Sequence, residues 1–183
     1  MKPIQAGDLL ISDPFLKDPH FSRAVILLCE HTEEGSFGLI LNKPYTFRLN
    51  ELLEQMEDID WDVFTGGPVQ KDSIHFIHTV PEWISDGLEI LPGIFWGGDF
   101  QDVITSVLKH HIQPEQIKFF VGYSGWSAGQ LASEMEEQTW LNVKANKKLL
   151  FNTPSHDIWK EALKHIGGKY AQMVNYPIDP QLN

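Results

Sequence analysis

A serine set between glycines is the first place in this chain where residue types and spacing could do chemistry. At Gly125-Trp126-Ser127-Ala128-Gly129 the apolar run "KFFVGYS" ends and a helix-like segment, "QLASEM", follows. That is the layout of the G-x-S-x-G nucleophile elbow, in which a strand-to-helix turn exposes a serine hydroxyl. A working serine needs a base within hydrogen-bond reach and an acid to orient the base. The only histidines after Ser127 are His156 and His165. The acids ahead of His156 are Glu134, Glu136 and Glu137, which ride on the helix that Ser127 itself would start. Asp157 lies eight residues before His165 on one helical segment, about 12 Å along the axis and out of reach. Glu161, one turn before His165, could meet it, so the hydrolase alternative reduces to Ser127, His165 and Glu161. A structural role suits the serine better. Ser127 and Gln130 form an S-x-x-Q capping box, in which the hydroxyl accepts from a backbone N–H one turn in and the glutamine side chain reaches back. No catalytic residue is assigned on this reading.

The remaining ionisable residues give no metal centre. His75 and His78 are three apart in a strand-like run and should point to opposite faces. His110 and His111 close a helical pattern, where a histidine meets the C-terminal dipole favourably. His20, Asp99 and Asp102 match no familiar ligand spacing. Cys29 is the only cysteine, so no internal disulfide or cysteine-based zinc cage can form, which suits a reducing cytoplasm. Neither a metal nor a cofactor is expected.

Three glycine pairs and turns remain: "FTGGPV", "FWGGDF" and "GYSGW" each end an apolar run, and two lead toward helix N-termini with free backbone N–H groups. If the first and last converge, they shape one concave binding site for a protein partner or a small ligand. Its lining would be Gly66, Gly67, Gly125, Trp126 and Gln130, with Asn42 and Lys43 of "LNKP" at the rim and Trp126 as the wall. The competing reading is that tight connections need glycine in any case, and that tryptophan is highly buried on average.

Strand-like runs that must carry these residues occur at "DLLIS", "AVILLCEH", "FGLILN", "DVFTGG", "SIHFIHTV", "LEIL", "KFFVGYS" and "KLLFN", and "TEEGS" predicts a hairpin between the second and third. Helical spacing joins Leu49, Leu52, Leu53 and Met56, and again Phe100 to Leu108 with Asp99 as its cap. A C-terminal helix starts with Thr153 at the N-cap and Pro154 at the first position, buries Ile158, Trp159, Ala162, Leu163 and Ile166, and stops at Gly167-Gly168. Strands in hairpin order followed by alternating strands and helices predict an α/β (α+β-like) fold, a mixed β-sheet flanked by helices. With no repeat or linker, residues 1–183 read as one domain with its core at about 7–168 and a C-terminal tail at 169–183.

The chain is 42% hydrophobic, enough for a sizeable core, and carries a net charge of −11. Residues 51 to 100 hold one lysine, Lys71, against eleven acids, a local net of −10. Such a surface repels phosphates, so direct nucleic-acid binding is disfavoured. No apolar stretch approaches the roughly 20 residues of a membrane span, which predicts a soluble protein of the cytoplasm. The sequence leaves the oligomeric state open.

Four segments in order, "GDLLISDPFLKDPHFSRAVILLCEHTEEGSFGLILNKP", "FTGGPV", "GYSGWSAGQLASEMEEQTWL" and "LLFNTPSHDIWKEALKHIGG", resemble the successive blocks of the YqgE/AlgH family of bacterial proteins, from about Gly7 to Gly168. The resemblance implies an α/β fold with a mixed sheet, no established enzymatic activity, and the family's customary label of transcriptional regulator. The label suggests direct DNA binding as an alternative. A reading helix needs a basic exposed face, and only the C-terminal helix carries more than one lysine.

Overall fold

The computed structural model describes residues 3–176. Nine strands build it: β1 (Asp8–Ser12), β2 (Val25–Thr32), β3 (Gly35–Ile40), β4 (Val63–Thr65), β5 (Val69–His78), β6 (Leu88–Leu91), β7 (Ile94–Trp96), β8 (Ile117–Ser127) and β9 (Trp140–Lys144). The helices are α1 (Leu49–Leu52), α2 (Phe100–Leu108), α3 (Gln130–Glu136), α4 (Ser155–Ile166) and α5 (Gly168–Gln172). Strand order is β6-β7-β5-β8-β3-β2-β1-β9, and β4 runs parallel beside β8 while the other pairs are antiparallel. The mixed sheet with flanking helices expected from the sequence is present.

The apolar runs of β1 and β2 lack polar alternation because both of their faces are covered. Leu9, Ile11, Val25, Leu27 and Cys29 face a core cluster capped by Ile158, Trp159, Ala162 and Leu163 of α4. Leu10, Ile26 and Leu28 face the opposite side, against Leu131 and Met135 of α3 and Trp140. A third cluster joins Val103 and Val107 of α2 to Val63, Phe76 and Phe119. Strand β8 links all three. Its first half pairs with β4 and β5, its last residues pair with β3, and Gly122, at φ +68°, marks the change of partner.

The predicted hairpin is the β2–β3 turn, where Thr32 pairs with Gly35 and the Thr32 hydroxyl accepts from Glu34 N–H at 3.2 Å. Asp99 caps α2 as expected, accepting from Asp102 N–H at 2.9 Å. Other expectations need correction. "KLLFN" is no strand: Lys148–Asn152 winds as a π-helical turn, pulling Leu149 and Leu150 into the α4 cluster. Thr153 does not cap α4, because its hydroxyl donates back to Lys148 O at 2.9 Å to close that turn, and no side chain takes its place. The segment from Leu49 to Met56 breaks at Leu53 into α1 and a 3₁₀ turn. The sequence reading missed β7 and β9. Of the tail expected at 169–183, residues 177–183 lie outside the described residues, and the part described is folded, with α5 running to Gln172 and Val174 buried.

Candidate functional site

Ser127 is the last residue of β8, paired with Gly35, not the first residue of a helical turn. Gly129, at φ +75°, stands at the N-cap of α3. Half of the expected capping box forms: Gln130 Oε1 reaches back to Ser127 N–H at 3.0 Å. The other half does not, because the Ser127 hydroxyl is exposed and donates to the same Gln130 Oε1 at 3.3 Å without accepting from a helix N–H. The triad contacts are not made either. The Glu161 carboxylate is taken by Lys164 Nζ at 2.7 Å.

The glycines of "TGGPV" and "GYSG" do meet, and they meet backbone to backbone. A Cβ on Gly66 would stand 2.3 Å from Gly122 O, and one on Gly67 would stand 2.1 Å from Tyr123 O. Gly66 N–H donates to Val121 O at 2.8 Å, and its carbonyl accepts from Ile40 N–H and the Ser124 hydroxyl. The space expected to hold a ligand is filled by strand packing. Trp126 is 6% exposed, packed beside Trp140, with its Nε1 donating to Glu134 at 2.9 Å. A sealed indole cannot wall an open pocket, and Gln130 and Gly125 lie exposed at the strand end. Asn42 staples β2, accepting from Val25 N–H and donating to Arg23 O. Lys43 donates to Ser22 O at 2.6 Å, and burial, with the charge of Arg23 beside it, holds its pKa below the usual lysine value.

A cavity of about 230 Å³ opens instead between the start of β8 and the N-terminus of α4. Lys118 is placed in it by strand alternation: it shares a face of β8 with Phe120, which belongs to the α4 core cluster. Its Nζ lies 4.2 Å from the centroid of the Phe64 ring and makes no hydrogen bond or ion pair among the described residues. Desolvation pulls the Lys118 pKa down to about 8, against a smaller opposing pull from the Asp62 carboxylate. Thr153, Pro154 and Ser155 form the rim above it. The first turn of α4 has no side-chain cap, and while Asp157 N–H turns back to Pro154 O at 2.9 Å, the N–H groups of Ser155 and His156 keep their capacity to donate at the positive end of the helix dipole. Asp62, the acid in the lining, is engaged by Arg48 Nη1 at 2.6 Å. An ammonium without an acceptor in one cavity with an uncapped helix end is an arrangement suited to a small anion.

The sequence held one overlooked signal for this site. Lys118 opens "KFFVGYS" and reads as a solvated charge flanking a strand, yet its period-2 partner is Phe120, an inward position. The cap assigned to Thr153 also hid the free end of α4.

Comparison with known proteins agrees with this architecture. The chain belongs to the AlgH-like family, whose model matches residues 9–171. Among its relatives, a UPF0301 protein of Chlorobaculum parvum is 41% identical over 180 residues, covering 98% of this chain and 96% of that protein. A UPF0301 protein of Chlorobaculum tepidum is 39% identical with the same coverage. The solution structure of the AlgH protein from Pseudomonas aeruginosa superposes with a TM-score of 0.73 at 30% identity, covering 97% of this chain and 98% of that one. A crystal structure of a Corynebacterium diphtheriae protein shares the fold, with a TM-score of 0.76 at 18% identity over 96% of this chain and 94% of its own.

Proposed function

We propose that this chain is a non-catalytic binding protein of the cytoplasm that recognises a small anionic ligand in the cleft between β8 and α4, and that any regulatory effect on transcription passes through protein contacts. The observation that carries the reading is the Lys118 ammonium, desolvated over Phe64, without a hydrogen bond or ion pair among the described residues, and lining one cavity with the uncapped start of α4. A cation kept in such surroundings costs stability, and perturbed ionisable groups in clefts concentrate at functional sites. The absent contacts around Ser127 and Glu161 favour binding over hydrolysis. The −10 balance of residues 51 to 100 favours a ligand or protein partner over duplex DNA. A lone buried thiol, Cys29, suits a reducing compartment, and no helix among the described residues is long and apolar enough to cross a membrane.

Thermal unfolding in sulfate tests the reading, since sulfate keeps its charge across the useful pH range. At about ten times its Kd, sulfate should raise Tm by roughly 3–6 °C. Lys118→Met should abolish the rise while unfolding no lower than the wild type in buffer, because it removes a desolvated charge. The rise should hold from pH 6 to 7.5 and shrink above about pH 8, where Lys118 gives up its proton and loses its attraction for the anion. No stabilisation by any small anion, or an undiminished rise in Lys118→Met, would contradict the reading.

A further inference from the structure

The cavity beneath α4 is one of two lobes. A second, of about 160 Å³, opens beside it and shares Asp62, Phe64 and Ser155 with the first. Each lobe alone falls below the roughly 300–1,000 Å³ of ligand clefts, and together they reach its lower end. Their chemistries differ. The first presents Lys118 and the α4 terminus. The second is walled by Pro44, Tyr45, Phe47 and Arg48. Phe47 is 46% exposed, one of few large apolar side chains left in water, and its ring lies 6.0 Å from that of Tyr45 in an edge-on arrangement. Arg48, held by Asp60 and Asp62, presents a planar guanidinium fixed in place at the same lobe. An exposed ring beside an immobilised guanidinium is a platform for a flat π system.

Resting on the anion-binding reading above, we propose that the natural ligand is a phosphate monoester joined to a flat aromatic group, of nucleoside monophosphate size. The phosphate takes Lys118 and the Ser155 end of α4, and the ring takes the Tyr45–Phe47 lobe. The shared walls Phe64 and Asp62 separate the two ends, with Asp62 set to accept from a hydroxyl or amino group between them. Two sources carry this chemistry, nucleotides and phosphorylated aryl groups.

Isothermal titration of the full chain with inorganic phosphate, ribose 5-phosphate, adenosine monophosphate and phenyl phosphate separates the possibilities. The proposal expects adenosine monophosphate or phenyl phosphate to bind at least tenfold tighter than ribose 5-phosphate, and whichever is tighter identifies the source. Phe47→Ala, at an exposed position and checked for folding by circular dichroism, should erase that advantage while leaving phosphate affinity unchanged. Lys118→Met should weaken every phosphate compound. Equal affinities for ribose 5-phosphate and the ring-bearing compounds would overturn the proposal and leave the anion reading standing. An absence of binding by all four would overturn both.

Discussion

Glu134 accepts from two buried indoles at once, Trp126 Nε1 at 2.9 Å and Trp140 Nε1 at 2.7 Å, and takes a third bond from Gln130. Its position on α3 puts the carboxylate where two tryptophans converge, which explains how both rings can be sealed in the α3 cluster with their polar edges satisfied. Glu134→Ala leaves two buried donors without an acceptor and should cost about 2–4 kcal/mol in urea unfolding. Ser127→Ala, which removes an exposed hydroxyl that caps nothing, should cost under about 0.5 kcal/mol. A Ser127→Ala cost as large as that of Glu134→Ala would reverse this assignment of roles. At this scale the sequence was readable where a side chain acts locally, as with Asp99 capping α2 or Gln130 reaching back to Ser127. It was opaque where the partner is distant. Nothing within "SEMEEQ" distinguishes Glu134 from Glu136 and Glu137, and only the fold brings Trp126 and Trp140 together.

Strand β8 carries the consequences at the scale of elements. Its glycine pattern looked like a loop built around a ligand, and the same residues turn out to let β8 change partners while the segment after β4 crosses it at backbone distance. Gly67→Ala should therefore cost about 3 kcal/mol or more, because its Cβ would collide with main-chain atoms of Tyr123 that cannot rotate away. Gly129→Ala should cost about 1–2 kcal/mol, since its Cβ meets nothing within 4 Å and the penalty is the left-handed backbone alone. Urea unfolding of the two variants checks the contrast, and equal costs would mean that the crossing relaxes freely. Most strands were legible from composition because their apolar runs are long and bounded by turn residues. "KLLFN" was not, since five residues with three apolar ones fit a buried strand or a helical turn equally well, and the tertiary pull of the α4 cluster decided it.

For the whole molecule, charge and topology point the same way. Acidic residues crowd the middle of the chain, yet the fold withdraws one lysine, Lys118, into a cleft beside the start of α4 and leaves it in no ion pair among the described residues. The family and the mixed sheet could be read from the order of sequence blocks. The cleft could not, because its parts come from residues 61–64, 118 and 153–155, which meet only once β4 lies parallel to β8 and the start of α4 comes up beside them. Amide chemical shifts of the uniformly ¹⁵N-labelled protein, followed during titration with inorganic phosphate, test that assembly most directly. The account predicts saturable shifts that are largest at Lys118, Ser155 and His156, with Gly66, Gly67 and Trp126 unmoved. Saturable shifts centred on the Gly66–Gly67 crossing, or no saturable shift at the start of α4, would contradict it.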